Sequence, residues 1–190
     1  MTGHHREVKP AQLLRAGDWQ FEYRQKCTPA TSNLELLTYG TYRVAGGMSS
    51  DELYHRGEET ILFCLSGEQG VQLEEGTFRL KHYDTLYVPL ATPYRITSES
   101  EEEGLLAVCR APATKRHAPF HGVWEQVRTD ERRIRHLDGK DVFLMLDVSE
   151  QADRLLAGYT IYRPHTRVSD DTGSFPAINF RNECCAGTGS

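Results

Sequence analysis

Imidazole and carboxylate side chains can hold a metal or pass a proton near neutral pH. The chain sets one of each, His55 and Glu59, at the entry to an apolar run. A plain reading of the same stretch has His55 and Glu58 lining a polar hairpin, with Glu59 meeting backbone donors or an arginine. Further along, Arg79, Tyr87, Tyr94 and Arg95 are candidates to line the mouth of a barrel. There, arginine would offer a carboxylate two parallel hydrogen bonds. Other reactive constellations are missing: the chain has no G-x-S-x-G, no P-loop and no G-x-G-x-x-G. His117, His121, His136 and His165 lack ligand-like spacing, and His4 and His5 read as solvated residues near a terminus.

These side chains must be positioned by strands. Residues 59–65 form an apolar run bounded by Gly57 and by Ser66-Gly67, and 70–73 leads into the turn Glu74-Glu75-Gly76. Phe78 and Leu80 alternate with polar neighbours, Asp84 marks the next turn, and Leu86 and Val88 alternate again before Pro89. Short alternating runs with turn signals this close together predict an antiparallel sandwich or barrel. Upstream, 18–24 reads as an edge strand, and 36–44 as a strand in which Gly40 marks a bulge. Downstream, 97–103, with glutamates at 99, 101, 102 and 103, reads as a solvated acidic loop and 104–109 as a buried strand, with Arg110-Ala111-Pro112-Ala113 ending the sheet.

The composition shifts after 113. Residues 114–121 are basic and contain proline, 124–127 and 132–136 read as short crossing strands, and 141–147 and 155–162 as strong apolar strands. From 168 to 190 the alternation stops. The expected organisation is an N-terminal segment (1–34), a first barrel (35–113), a crossover (114–139), the opening strands of a second barrel (140–167) and an irregular tail (168–190).

With 26% charged and 38% hydrophobic residues and a net charge of −5, the chain reads as globular with no pull toward nucleic acid. The apolar runs are too short for a membrane span, and the first residues lack the apolar core of a signal peptide. Cys64 and Cys109 fall in apolar strands and read as small hydrophobes, while Cys184 and Cys185 are adjacent and poorly placed to pair. A cytoplasmic, reducing location is expected.

The order of polar loop, strand, glycine turn, strand, aspartate turn and strand before Pro89 resembles the signature of a cupin, a small all-β jelly-roll barrel. A more specific resemblance rests on Gly40-Thr41-Tyr42-Arg43-Val44 with Gly46-Gly47, and on Glu58-Glu59-Thr60 through Ser66-Gly67. It continues with Asp84 through Pro89, Thr92-Pro93, and Cys109-Arg110-Ala111-Pro112-Ala113. Together these resemble the two-cupin uronate isomerases, the 5-deoxy-glucuronate isomerase and the 5-dehydro-4-deoxy-glucuronate isomerase. The resemblance spans about 36–167, and the inositol-pathway member, which acts on 5-deoxy-glucuronate, looks slightly closer.

The resemblance implies a homo-oligomeric enzyme that interconverts an aldehyde and a ketone in a small sugar acid, with Zn or Mn held by the second cupin. In the first cupin, His55 and Glu59 have the spacing of two ligands, while Leu53 and Tyr94 stand where the other two imidazoles would be. No metal is therefore expected in this barrel, and His55 and Glu59 are weak candidates only. In the second cupin an H-x-H motif would follow Pro164, where this chain has Arg167-Val168-Ser169-Asp170-Asp171. The expectation is a chain truncated or frame-disrupted in its second cupin, the N-terminal part of such an isomerase and not necessarily active alone, or else a non-catalytic sugar-acid-binding or oligomerisation cupin.

Overall fold

The computed structural model describes residues 20–32, 35–147 and 152–163. Trp19, His4, His5, His165, the stretch 167–171, and Cys184 and Cys185 lie outside them, so the expectations placed there are not addressed by the fold.

Most of the alternating runs are strands: β1 (Phe21–Cys27), β2 (Thr38–Val44), β3 (Glu58–Ser66), β4 (Gln69–Leu73), β5 (Gly76–Leu80), β6 (Thr85–Val88), β7 (Arg95–Ser98) and β8 (Gly104–Pro112). They are followed by β9 (Phe120–Gly122), a single helical turn α1 (Trp124–Val127), β10 (Ile134–Leu137), β11 (Lys140–Leu146) and β12 (Ala157–Tyr162). Several local expectations differ: residues 97 and 98, read as the start of a loop, end β7, and residues 132 and 133, read as strand, lie in a 3-10 turn ahead of β10, where Asp130 accepts from the Arg132 backbone N–H. The strand expected to stop at Cys109 runs on to Pro112, because a proline at a strand's last residue removes no interior ladder bond. Residues 124–127 are helical rather than extended. The Asp84 carboxylate accepts from the Trp124 backbone N–H at 2.8 Å, so a residue 40 positions away supplies the cap that Val123 lacks.

The strands form an antiparallel six-stranded sheet in the order β1-β2-β8-β3-β6-β9, and a second sheet in the order β5-β4-β7 faces it. Leu62 and Cys64 of β3, Leu86 and Val88 of β6, and Leu106 and Val108 of β8 point into the space between them. Their out-of-phase neighbours Ile61, Tyr87 and Cys109 point the other way and pack against Phe143, Met145 and Leu146 of a third sheet, β10-β11-β12. The central strands of the large sheet therefore have apolar neighbours on both faces, which is why β3 reads as a nearly continuous apolar run rather than a clean alternation. Among the described residues, no helix is long and apolar enough to cross a membrane.

Gly40 sits opposite an irregularity in β1, where Gln25 pairs with Gly40 and Cys27 with Tyr39. A Cβ at Gly40 would lie 2.6 Å from the Tyr23 ring and 2.7 Å from the Arg24 carbonyl oxygen, and that backbone atom cannot swing aside. Gly40→Ala is expected to cost about 2 kcal/mol, which lowers Tm by roughly 5 °C in a chain of this size. An unchanged Tm in a thermal melt would refute this packing of β1 on β2.

Candidate functional site

The inward-facing alternation of β8 does not stop at Val108. Two residues on, Arg110 points into the same space, and β2 brings Tyr42 and β1 brings Tyr23 to the same end of the barrel. His55 arrives from the loop before β3, and Tyr94 from the loop before β7. An isolated bridge between Leu53 and Tyr94 ties those two loops together.

The polar groups form one connected cluster. Arg110 Nη1 donates to His55 Nδ1 at 2.8 Å and to Glu58 Oε2 at 2.8 Å, and Nη2 donates to the Tyr23 hydroxyl at 3.1 Å. On the other side of the ring, His55 Nε2 lies 3.0 Å from the hydroxyls of Tyr42 and Tyr94, which are 3.1 Å from each other. A guanidinium has only donors, so Nδ1 must accept, and the neutral imidazole carries its proton on Nε2. That proton faces two phenol oxygens. One phenol can donate to the other, which leaves one phenolic proton without an acceptor inside the triangle. Arg110 Nε is also buried without an acceptor. Inside the triangle three protons meet only two acceptor oxygens.

Its charges follow from burial. Desolvation, reinforced by the Arg110 charge, pushes the His55 pKa down to about 3, so the ring is neutral across the physiological range. Burial raises the Tyr42 and Tyr94 hydroxyls well above the ordinary phenol value, and both stay protonated. Burial is the largest single influence and works against the Arg110 charge, but Glu58 together with Tyr23 and Tyr42 outweighs it and the guanidinium stays ionised.

As a donor set for a divalent ion this falls short. A cation needs lone pairs. Here the Nδ1 lone pair is occupied, Nε2 has none, the phenols are protonated, and a fixed positive charge already stands in the middle. Among the described residues, no group of three or more His, Cys, Asp or Glu side chains is placed to hold a metal.

The candidate residues divide between several places. His55 and Tyr94 are together in this cluster, joined by Glu58, the partner of the plain reading. Glu59 and Tyr87 are together on the opposite face of the sheet. Glu59 is completely buried, accepts from the Tyr87 hydroxyl at 2.8 Å, and accepts the backbone N–H groups of Asp153, Arg154 and Leu155 at 2.9, 2.6 and 2.6 Å. Asp153 in turn accepts from the backbone and hydroxyl of Thr114 and the backbone of Lys115. Arg79 is an outer residue paired with Glu99 at 2.8 Å, and Arg95 is exposed on β7. Tyr23, Tyr42 and Arg110 are not among the candidates read from the sequence, although the alternation of Leu106, Val108 and Arg110 marks the last of them.

Comparison with known proteins agrees with this architecture. The profile of the KduI/IolB family matches residues 12–177. No curated protein matches the chain. Among solved structures, a Pseudomonas aeruginosa protein named as glyoxylate-induced superposes with a TM-score of 0.61 at 15% identity, covering 76% of this chain and 56% of that one. An IolB-like protein of Salmonella typhimurium superposes with a TM-score of 0.57 at 21% identity, covering 70% of this chain and 52% of that one. Escherichia coli Ylba gives 0.54 at 13% identity, covering 72% and 54%. At these identities the likeness establishes the all-β, cupin-like fold. This chain covers only a little over half of each of those proteins.

Proposed function

Because the chain belongs to the KduI/IolB family, we propose that it is a sugar-acid isomerase-type cupin protein. The reaction we assign to it is aldehyde–ketone isomerisation of an open-chain deoxy-uronic acid, with 5-deoxy-glucuronate the favoured substrate. The observation that carries the reading is the family match, which runs through most of the sequence. Such a reaction moves a proton from the carbon next to the carbonyl, through an enediol, and needs a base and a group that polarises the carbonyl. When bound, the family's Zn or Mn would supply that polarisation. The stretch where the resemblance implies its ligands lies beyond 164, outside the described residues.

The first barrel has a supporting part in this reading. In its polar cluster, His55 has no free lone pair to act as a base, and Glu58 is held by Arg110. What the barrel offers is its outer face, where Glu59 fixes the segment leading into β12. The protein is expected to work in the cytoplasm as an assembly of identical chains, on a small sugar acid rather than on nucleic acid or membrane. The occupied interior of the first barrel also favours a second reading, a non-catalytic sugar-acid-binding or oligomerisation cupin. The full chain, assayed with 5-deoxy-glucuronate and with 4-deoxy-5-keto-uronate, separates the two. Turnover that is faster on the first substrate is the expected result. A folded chain that binds either sugar acid without converting it would replace the isomerase with the second reading.

A further inference from the structure

Positions 53, 55 and 94 are those at which the sequence lines up with the imidazoles of a cupin metal cage, and the fold brings them together. The Leu53 and Tyr94 backbones bond to each other, and the Tyr94 hydroxyl touches His55 Nε2. Arg110 enters among them from β8. Through Nη1 alone it engages His55 Nδ1 and the Glu58 carboxylate, the two groups here best able to ligate a metal, and through Nη2 it engages Tyr23.

We propose that Arg110 is the first barrel's resident cation: its guanidinium stands in for a divalent ion, gathers His55, Glu58 and Tyr23 around itself, and closes this barrel to metal. Three observations support this independently of the reaction assigned above. His55 Nδ1 and Glu58 Oε2 are already engaged by Arg110 N–H donors and the phenol oxygens face the Nε2 proton, so a metal would have to displace those donors rather than find open acceptors. The guanidinium cannot lose its charge, and a second cation placed beside it would meet like-charge repulsion at short range. The shape of the group matters as well. From β8, its planar fork of donors reaches β1, β3 and the loop before β3 at once, a span that a compact lysine ammonium would not cover. It follows that any metal carried by the complete protein is bound elsewhere, and that metal content counts only sites outside this barrel.

The test uses the full chain, with Co2+ as the probe and the ring signals of His55 as the readout. In the parent protein, 15N-detected spectra are expected to show His55 with its proton on Nε2, and its signals are expected to stay unmoved by millimolar Co2+. A proton on Nδ1, or a saturable Co2+ shift of His55, overturns the proposal. In Arg110→Met, the freed Nδ1 and Glu58 are expected to give a Co2+ response at His55 at least about tenfold tighter than any seen in the parent. A folded Arg110→Met protein whose His55 remains indifferent to Co2+ also overturns it. If that variant does not fold, the parent's tautomer and Co2+ titration decide the matter alone. None of these readings depends on turnover, so a failed isomerase assay leaves the proposal standing, and the reverse also holds.

Discussion

Thermal unfolding of Glu59→Ala is expected about 10 °C below that of the parent chain, a loss of about 4 kcal/mol. The carboxylate is fully buried and accepts from three consecutive backbone N–H groups and one phenol. Alanine leaves the Leu155 amide and the Tyr87 hydroxyl in a dry interior with nothing to bond to, and such orphaned donors cost about 1–3 kcal/mol each. Glutamine should recover part of this, since its one oxygen can still accept from Arg154 and Leu155 while its amide hydrogens would face the Asp153 N–H. Tyr87→Phe removes one donor and leaves the carboxylate its other partners, so a loss of about 1 kcal/mol is expected. Hydrogen exchange gives a local readout. The amides of Asp153, Arg154 and Leu155 should be strongly protected in the parent and lose at least about a hundredfold of that protection in Glu59→Ala. A melt within about 2 °C of the parent, which is under 1 kcal/mol, would rule out this clamp.

The second large effect is on acid stability. The His55 pKa lies near 3 in the folded protein, because the ring is buried and faces the Arg110 charge, against 6.5 for the unperturbed side chain. Above about pH 6.5 neither the folded nor the unfolded state protonates this ring, and its neutral form fits the cluster at no penalty. As the pH falls below that value the unfolded chain takes up a proton that the folded chain refuses, so stability drains away until the pH approaches 3. Between pH 7 and pH 4 this single group should remove about 3 kcal/mol from the unfolding free energy. Titrating carboxylates add to the total acid loss, so the comparison that matters is with His55→Gln, which cannot take up the proton. Urea unfolding of the two proteins at both pH values should show the parent losing about 3 kcal/mol more than the variant. Equal losses in both would mean that His55 titrates normally.

The parts of the fold set by local pattern can be read from the sequence. The runs of β5 and β6 have period two, β3 is an apolar run bounded by glycine turns, and the structure places strands there. What cannot be read locally is set by distant partners. Residues 124–127 carry no helix cap of their own and turn because Asp84 reaches across to the Trp124 amide. Glu59 reads as a residue that meets backbone donors, but those donors lie more than ninety positions further on, and no single-sequence pattern names them. Arg110 escapes for a different reason. Arg-Ala-Pro looks like the end of a strand, and stopping there hides the inward alternation of Leu106, Val108 and Arg110. Tyr42 is hidden in plain view, one of several tyrosines on strands, and only its contact with His55 and Tyr94 sets it apart.

The two-sided burial of β3 has a further consequence for how the chain finds its alignment. In a strand with one wet face, a one-residue slip throws greasy side chains into water, and that penalty alone keeps the pairing in step. Along β3 the slip would exchange Leu62 and Cys64 for Ile61 and Phe63, one apolar set for another, with little to choose between them. The discriminating residues are the two glutamates at its start. In step, Glu58 meets a guanidinium on one side and Glu59 meets a nest of amides on the other. Out of step, each carboxylate would be delivered to the wrong compartment. The charged end of β3 is thus the registration mark for the whole sheet.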